Sequence, residues 1–386
     1  MSGISLTEQE KAAFCQDVTK DRALDYFYVL GNVPLHFIYH DKVMPGHLSE
    51  LERRNKAITE TLWLEAYHQY LIGNVSYRFL YRGSILQMAF QVHQVGAGTF
   101  APPAAESRAF QPTVEAVQAN FDDWMDHVGW QLADELRKEP PRASWQTLLG
   151  VPDRTVRIVS LMPVGNQVVL ELITTWTDNG VLKEAAWAVV LVYDVDGTVL
   201  QDRSYIDLTN WPSARNRSPA ASRAPGDRPL TTGVGELDRF YKYHRSQQLN
   251  GVATVREERN LSIIEGAWVD AQNTDLNAKI IHPERFRTQL PVQKWSGNLD
   301  VTVEIEAVVR KAAPDRKVRL GMTYAKGNQV ATEGVVSWTE DGHAREAPFI
   351  SFLLLDDENR VIRERRYITL NNWPGAAELS ARLAGR

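Results

Sequence analysis

The sequence predicts an α+β protein made of two similar halves, and three observations support this prediction. First, residues 152–214 and 314–376 share one pattern without a gap: Pro-Asp-Arg opens it, Gly-Asn-Gln-Val follows, and Asn-Trp-Pro closes it. Second, helical periodicity comes first in each half and β-rich runs come last. Third, hairpin signals separate these runs. Because a parallel sheet would need alternating strands and helices, each half is expected to contain an antiparallel sheet.

Composition narrows the class of protein. A chain of 386 residues can bury two cores. A net charge of −5 without a basic stripe argues against nucleic-acid binding. Cys15 is the only cysteine, so a disulfide framework or a thiolate metal cluster is not expected. The N-terminus lacks a signal-peptide pattern, and no apolar run approaches the ~20 residues of a membrane helix. We therefore expect a cytoplasmic protein that binds neither membranes nor nucleic acid.

The helices that open each half carry an acid on an apolar stripe. They are predicted over residues 54–70 and 259–274. Ile58, Leu62 and Glu65 share one face because they are spaced by four and three residues. Asp270 aligns with Glu65 in the second half.

The rest of each half follows from pattern and turn residues. Strand-like runs are predicted at 75–90 and 285–290, and longer helices at 113–138 and 299–312. The β-rich runs are 168–175, 187–193 and 199–208, with counterparts at 330–337, 349–355 and 361–370. The apolar runs 187–193 and 349–355 are predicted to be central strands. The predicted units are residues 22–214 with an insertion at about 91–135, a linker at 215–235, and residues 236–376.

The closing strands and the Gly-Asn-Gln-Val motif resemble the NTF2-like superfamily, and within it the SnoaL-like domains of the polyketide-cyclase group. The motif precedes Glu171 and Glu333, and the closing strands read Arg-Ser-Tyr-Ile-Asp and Arg-Arg-Tyr-Ile-Thr. The resemblance implies two tandem cone-shaped α+β barrels with curved antiparallel sheets, each enclosing an apolar pocket. It also implies chemistry without a metal or cofactor. Single domains of this family pair through their sheets, so an intramolecular pseudo-dimer is expected, with further homo-oligomerisation left open.

The candidate catalytic residues are acids with polar aromatic neighbours. Glu65 and Asp270 are predicted general bases, with a salt bridge as the alternative role. Asp207 closes the first-half Tyr-x-Asp motif, which the second half lacks, and Tyr67 could stabilise an oxyanion. Asp123 and His127 lie four residues apart, either as an oriented couple or as an exposed helix pair.

The candidate substrate-binding residues are aromatic side chains and two mid-strand acids. They are Trp63, Trp124, Trp176, Trp268, Trp338, Glu171 and Glu333. The tryptophans are equally consistent with the core. Glu171 and Glu333 either pair with Arg157 and Arg319 across the sheet or point into the cavity.

These features favour a cofactor-independent cyclase, isomerase or dehydratase (a lyase) that acts on an apolar small molecule of secondary metabolism. Proton transfer by Glu65 in the first half is the expected mechanism, because that half holds more ionisable residues. A non-catalytic binding or structural protein is the alternative. Epoxide hydrolysis is a further alternative, and the lack of the Arg-x-Asp pair that limonene-type hydrolases carry after the core glutamate counts against it.

Overall fold

A computed structural model describes residues 46–64, 89–94, 155–194, 197, 199–206, 249, 251–274, 280–368 and 373–384. The helices in these ranges are α1 (Glu50–Ile58), α2 (Val255–Ile263), α3 (Val269–Asn273), α4 (Leu299–Ala312) and α5 (Ala376–Ala384). The strands of the first half are β1 (Ala89–Gln94), β2 (Thr155–Val164), β3 (Gln167–Asp178), β4 (Val181–Tyr193) and β5 (Val199–Ile206). Those of the second half are β6 (Arg287–Leu290), β7 (Trp295–Gly297), β8 (Lys317–Lys326), β9 (Gln329–Glu340), β10 (His343–Leu355) and β11 (Val361–Tyr367).

The protein is a mixed α/β structure with two largely antiparallel sheets. The first sheet has the order β1-β5-β4-β3-β2, and the second has the order β7-β6-β11-β10-β9-β8. In each sheet the closing strand, β5 or β11, pairs in parallel with a strand that comes earlier in its half. The strands predicted to be central, β4 and β10, are paired on both sides, which confirms that prediction.

The sheets are curved by bulges at matching positions. The β2–β3 register shifts between Ile158 and Ser160, and the β8–β9 register shifts between Leu320 and Met322. An extra residue on one strand bends that strand and increases its twist. The curvature expected from the sequence is therefore built in at the same place in both halves.

The predicted hairpin turns between β3 and β4 and between β9 and β10 are confirmed. Asn179 and Gly180 have φ values of 54° and 74°, and Asp341 and Gly342 have values of 52° and 76°. Two consecutive left-handed residues form the turn that matches the twist of paired strands. Asn, Asp and Gly adopt this conformation more readily than other residues.

The opening helices begin about four residues before their predicted starts. Ser49 Oγ accepts a hydrogen bond from the Glu52 amide, and the Glu52 carboxylate accepts one from the Ser49 amide. Thr254 and Glu257 form the same capping box ahead of α2. The sequence contains the capping-box pattern ahead of both helices. The capping box fixes the first helical turn because it satisfies the amide of the capping residue and the amide of the glutamate three residues later.

Each opening helix widens into a π-helical turn at the same place. These turns cover Thr59–Trp63 and Ile264–Trp268. Each ends on a tryptophan that is fully buried, Trp63 or Trp268. Widened turns of this kind are frequent at functional sites. In both halves the turn directs an indole ring into the core.

Other predictions have mixed outcomes. The helix predicted at 299–312 is confirmed as α4. Strand β1 begins near the end of the run predicted at 75–90 and continues to Gln94, into the range assigned to the insertion. The remainder of that run, the insertion and the linker lie outside the described residues.

The two faces of the first sheet contribute to different apolar clusters. One cluster belongs to the first half and includes Val168, Leu170 and Leu172 of β3. The alternate residues Val169 and Ile173 belong to a cluster that contains residues of both sheets. Because strand side chains alternate between faces, Glu171 is on the face that meets the second sheet.

Candidate active site

The predicted substrate-binding acid Glu333 lies between the two sheets. Arg203 of β5 donates to both of its carboxylate oxygens, at 3.0 and 2.9 Å. Tyr205 and Tyr324 each donate a hydroxyl hydrogen bond to it at 2.6 Å. The side chains of Arg203 and Glu333 are fully buried. Burial by itself would lower the pKa of Arg203, but the charge and hydrogen bond of Glu333 together with Tyr324 and Tyr205 outweigh it, so the net shift of that pKa is upward.

Glu171 has the corresponding position in the first sheet. Arg365 of β11 forms a bidentate ion pair with it, and Tyr367 donates to it at 2.8 Å. Each glutamate is therefore neutralised by the arginine and the tyrosine of the other sheet. A buried charge needs this degree of pairing, because leaving it without partners would cost several kcal/mol.

Neither of the two alternatives predicted for these glutamates is correct for Glu333. Arg319 instead donates to Glu346 at 2.9 Å and to Ser337 at 2.8 Å. The carboxylate of Glu333 does not point into a cone but faces the other sheet. The sequence contained the arginines in both closing strands, but spacing alone cannot show that a partner lies in the other half.

The face of β5 turned away from the second sheet carries a second acid. Asp202 and Ser204 are paired in register with Leu191 and Val189 of β4, which belong to the first-half apolar cluster. Asp202 has 2% of its surface exposed, and Ser204 donates a hydrogen bond to it at 2.9 Å. This carboxylate therefore lies on the face of the first sheet that carries the first-half apolar cluster.

Two indole rings belong to the same apolar cluster as the strands that flank this acid. The ring centroids of Trp63 and Trp187 lie 6.3 Å apart with an interplanar angle of 40°. Both rings are fully buried. Next to them, Tyr193 and Thr59 share a hydroxyl–hydroxyl hydrogen bond of 2.6 Å, and burial raises the pKa of Tyr193. The result is an apolar, aromatic surface around a small number of polar groups.

The second half places an ion pair where the first half has Asp202 and Ser204. Glu364 of β11 accepts a hydrogen bond from Arg366 at 2.8 Å, and Gln272 accepts another from Arg366 at 3.0 Å. Ser351 donates to Glu364 at 2.9 Å. Three aromatic rings surround the guanidinium carbon of Arg366 at 5.7, 5.1 and 5.9 Å, namely those of Trp268, Phe349 and Trp373. We call this arrangement the Arg366 box.

The described residues of the second half enclose a small cavity beside the Arg366 box. It has a volume of about 40 Å³ and is lined by apolar side chains together with Thr288, Thr302, Gln272, Glu306, Glu364 and Arg366. Pockets that bind small molecules are typically about 300–1,000 Å³. Glu306 is itself paired with Arg316 at 2.7 Å. The cavity that these described residues line has room for a few water molecules and not for an organic substrate.

The predicted site residues divide into two groups. Six of them lie outside the described residues: Glu65, Tyr67, Asp123, Trp124, His127 and Asp207. Asp270 is exposed on α3, which does not fit a base buried in an apolar pocket. The tryptophans at 63, 176, 268 and 338 are all buried. The ring of Trp268 lies against the guanidinium group of Arg366, so Trp268 is part of the Arg366 box.

Sequence reasoning missed Asp202, Glu364 and Arg366. The signal was present, since β5 and β11 carry charged residues on both faces and every residue of β11 is buried. Charged residues at alternate positions of a strand that is otherwise apolar indicate paired or functional groups. The sequences of β5 and β11 indicated the fold but did not single out these three side chains.

Comparisons with known proteins yield structural similarity alone. No protein-family profile and no curated protein matches the sequence. Solved structures that match include a provisionally assigned SnoaL-like polyketide cyclase from Jannaschia sp., at 14% identity and a TM-score of 0.25, covering 31% of this chain and 90% of that one. Another is IdmH from Streptomyces antibioticus, a provisionally assigned polyketide cyclase, at 13% identity and a TM-score of 0.26, covering 32% and 98%.

A third match is a protein of ketosteroid isomerase-like fold from Catenulispora acidiphila in complex with trimethylamine. It is 14% identical, with a TM-score of 0.25, and covers 30% of this chain and 88% of that one. Because these sequence identities and TM-scores are low, function is inferred from the residues of this chain and not from the matched structures. Within the part of the chain that the structure describes, no helix is both long and apolar enough to span a membrane.

Proposed function

We propose that the protein is a tandem pair of NTF2-like cones in which the first cone is a cofactor-independent acid–base enzyme and the second is structural. The reaction is a cyclisation, isomerisation or dehydration of a largely apolar small molecule. The observation that carries this proposal is the buried carboxylate of Asp202 on the face of the first sheet that carries the first-half apolar cluster, where Ser204 donates a hydrogen bond to it.

Asp202 has the features of a group that moves a proton. It lies beside apolar side chains of β4, and a hydroxyl hydrogen bond at 2.9 Å fixes the carboxylate. A positioned carboxylate in an apolar cavity abstracts and returns protons in this type of chemistry. Glu65, Asp207, Tyr67 and His127 remain the predicted companions of Asp202, and Tyr67 would stabilise an enolate.

Two features of the second cone, a buried ion pair and a small cavity, support a structural role for the second half. Glu364, at the position that matches Asp202, is held by the guanidinium of Arg366 at 2.8 Å. A carboxylate committed to an ion pair is a weak base, since the positive charge stabilises its ionised form. The cavity of about 40 Å³ is also too small for an organic substrate.

The crossed ion pairs support the proposal of an intramolecular pseudo-dimer. Arg203 pairs with Glu333 and Arg365 pairs with Glu171, so residues at matching positions exchange partners between the sheets. Strand β2 also lies against its counterpart β8. Exchange of equivalent contacts is the property of a two-fold interface.

Proton exchange tests the proposed chemistry without knowledge of the substrate. The protein is incubated in heavy water with a panel of cyclic ketones, β-diketones and unsaturated ketosteroids, and deuterium at the acidic carbons is measured by mass spectrometry. We expect exchange with part of the panel, and we expect Asp202→Asn to lower its rate by about 100-fold or more. Glu364→Gln is the matched control in the second half and should change the rate by less than about twofold.

A non-catalytic pair of cones is the second candidate, favoured by the closed state of the second cone. It predicts that no member of the panel exchanges faster than in buffer, with the protein folded by circular dichroism. Equal losses for Asp202→Asn and Glu364→Gln would also contradict a reaction confined to the first cone.

A further inference from the structure

The first half buries a pair of hydroxyl groups against its apolar cluster. Thr59 begins the π-helical turn and Tyr193 ends β4, and their hydroxyl oxygens lie 2.6 Å apart in a hydrogen bond. Both residues are fully buried. Thr59 has one hydroxyl proton and donates it to the Asn55 carbonyl oxygen at 2.8 Å. Tyr193 is therefore the donor in the pair, and its oxygen can act only as an acceptor toward other groups.

The second half builds the same two elements without this pair. Ile264 begins the second π-helical turn, at the position of Thr59, and Leu355 ends β10, at the position of Tyr193. Both are buried. Replacing both partners of a buried hydrogen bond by apolar groups is nearly neutral for stability. The fold therefore does not require the hydroxyl pair, and its presence in the first half indicates a role other than stability.

Tyr193 lies on the same face of the first sheet as Asp202. Asp202 is in register with Leu191, and Tyr193 is the next residue of β4 on that face. Burial raises the pKa of Tyr193, and the negative charge of Asp202 raises it further. The hydrogen bond with Thr59 and the charge of Arg54 act in the opposite direction without reversing the shift. The phenol therefore stays neutral at physiological pH and lies within the electrostatic reach of Asp202.

We propose that Tyr193 is a positioning residue of the first half, whose phenol oxygen favours the protonated form of the Asp202 carboxyl group. This inference rests on the proposed function, in which Asp202 takes up and returns a proton. The hydroxyl proton is directed at Thr59 on the helical turn, so the negative end of the O–H dipole is turned to the rest of the site. A negative potential disfavours the ionised carboxylate and makes it a stronger base.

The second half differs at both positions that bear on its acid. Glu364 is held by the guanidinium of Arg366 at 2.8 Å, and Leu355 stands where the first half has Tyr193. A guanidinium stabilises the ionised carboxylate, so a group that favours the protonated form would have no use there. The hydroxyl pair thus occurs in the half for which proton transfer is proposed.

Carbon-13 NMR of the carboxyl groups tests the inference on the full chain without a substrate. Aspartate is labelled at its carboxyl carbon, Asp202→Asn identifies the Asp202 signal, and this signal is followed as the pH is changed. Tyr193→Phe keeps the ring and removes only the oxygen. We expect it to lower the midpoint of the Asp202 titration by about 0.5 pH unit or more.

Two further variants separate this effect from a structural one. Tyr205→Phe removes a hydroxyl from the opposite face of β5, where it donates to Glu333, and should leave the Asp202 midpoint within about 0.2 pH unit. Thr59→Ile combined with Tyr193→Leu installs the residues of the second half. This double variant should keep its melting temperature within about 3 °C of the wild type and still lower the midpoint.

Three results would overturn the inference. They are an unchanged or raised midpoint in folded Tyr193→Phe, the same result in the folded double variant, and an Asp202 that stays ionised until the wild-type protein unfolds in acid. In the last case the oxygen of Tyr193 would not favour the protonated form at any pH at which the protein functions.

Proton exchange on the ketone panel separates this inference from the proposed function. A weaker base abstracts a proton more slowly, so Tyr193→Phe should lower the plateau rate by about threefold or more and move the rising limb of the pH profile to lower pH. Exchange without a midpoint shift would remove the inference and leave the enzyme proposal intact. A midpoint shift without exchange on any panel member would retain the coupling of Tyr193 to Asp202 and remove catalysis.

Discussion

Arg203 of β5 and Glu333 of β9 form a bidentate ion pair at 3.0 and 2.9 Å although they are 130 residues apart in the chain. Arg365 and Glu171, 194 residues apart, repeat this relationship with the direction reversed. Both pairs lie between the sheets, and each is completed by a tyrosine hydroxyl. The association of the two halves therefore depends on buried ion pairs as well as on the burial of apolar surface.

Truncation of one partner in a crossed pair should strongly destabilise the fold. Glu333→Ala leaves the guanidinium of Arg203 buried without its counter-charge, and we expect a loss of about 3–5 kcal/mol in the free energy of unfolding. Urea denaturation followed by tryptophan fluorescence measures it. The exposed pair of Arg382 and Glu378, also an ion pair at 3.1 Å, is the control, and Glu378→Ala should cost less than about 0.5 kcal/mol.

A variant that lacks both Arg203 and Glu333 tests whether the two side chains are coupled. Removal of both Arg203 and Glu333 takes away the isolated charge, so its cost should be smaller than the sum of the two single losses. Additive losses would show that the two side chains act independently and would contradict the coupling inferred from the geometry.

Acid should weaken the contact between Glu52 and Lys326. Burial raises the pKa of Glu52, but hydrogen bonds from Lys326, Gly165 and Ser49 and the charge of Lys326 outweigh it, so the net shift is downward. A lowered folded-state pKa contributes stability above the ordinary value of about 4.3, and this stability is lost as the pH falls through the folded-state pKa. We therefore expect the stability difference between wild type and Glu52→Gln to be largest near neutral pH and to shrink below about pH 4.3.

Glu257 is the matched control for Glu52. It forms the same capping box and accepts from the Gly327 amide at 2.7 Å, whereas Glu52 also accepts from the Lys326 ammonium at 2.9 Å. Glu52→Gln leaves that lysine buried without its counter-charge, so at neutral pH it should cost more than Glu257→Gln. Equal losses of stability for the two variants in thermal unfolding at pH 7 would show that the ion pair with Lys326 contributes no stability.

Two glycine-to-alanine substitutions should change stability in opposite directions. Neither Gly342 nor Gly266 has a neighbouring atom within 4 Å of an added Cβ. Gly342 has a φ of 76°, where alanine is strained, so Gly342→Ala should cost about 1 kcal/mol or more. Gly266 lies in a helical turn, and Gly266→Ala should stabilise by about 0.5–1 kcal/mol. The melting temperatures measure both, and shifts of the same sign would be inconsistent with a backbone cause.

A methyl group at Gly334 should disturb the Arg366 box. An added Cβ would lie 2.4 Å from the Phe349 ring and 2.9 Å from the Arg319 carbonyl oxygen. Overpacking of this kind costs about 1–3 kcal/mol. Because Phe349 packs against the guanidinium of Arg366, the near-ultraviolet circular dichroism of the aromatic residues should change as well. An unchanged spectrum with unchanged stability would mean that the ring moves without cost.

The sequence predicted the parts of the fold that depend on local pattern. The hairpin at Asn179 and Gly180 followed from residue type, because these residues tolerate a positive φ. The central position of β4 followed from its continuous apolar run. The start of α1 was misplaced although Ser49 and Glu52 form a capping box, because the prediction relied on apolar periodicity and not on cap residues.

The candidate site was predicted less well than the fold. Trp63 and Trp268, which repeat at one helix position, are both fully buried, and their role in substrate binding stays a prediction. Asp202 and Arg366 were missed, because a strand pattern does not reveal which face meets the other sheet and which face is turned away from it. The acids at Glu171 and Glu333 were noticed, and their partners could not be found by spacing within one half.

By itself the sequence determined the repeated order of helices and strands and the hairpin turns, since each depends on residues that are neighbours in the chain. Only the tertiary structure decided that Arg203 meets Glu333, that Arg365 meets Glu171, and that Arg366 pairs with Glu364 among three aromatic rings. The physical reason is that a buried charge must find its partner in space, and the partner that two packed sheets provide lies more than a hundred residues away.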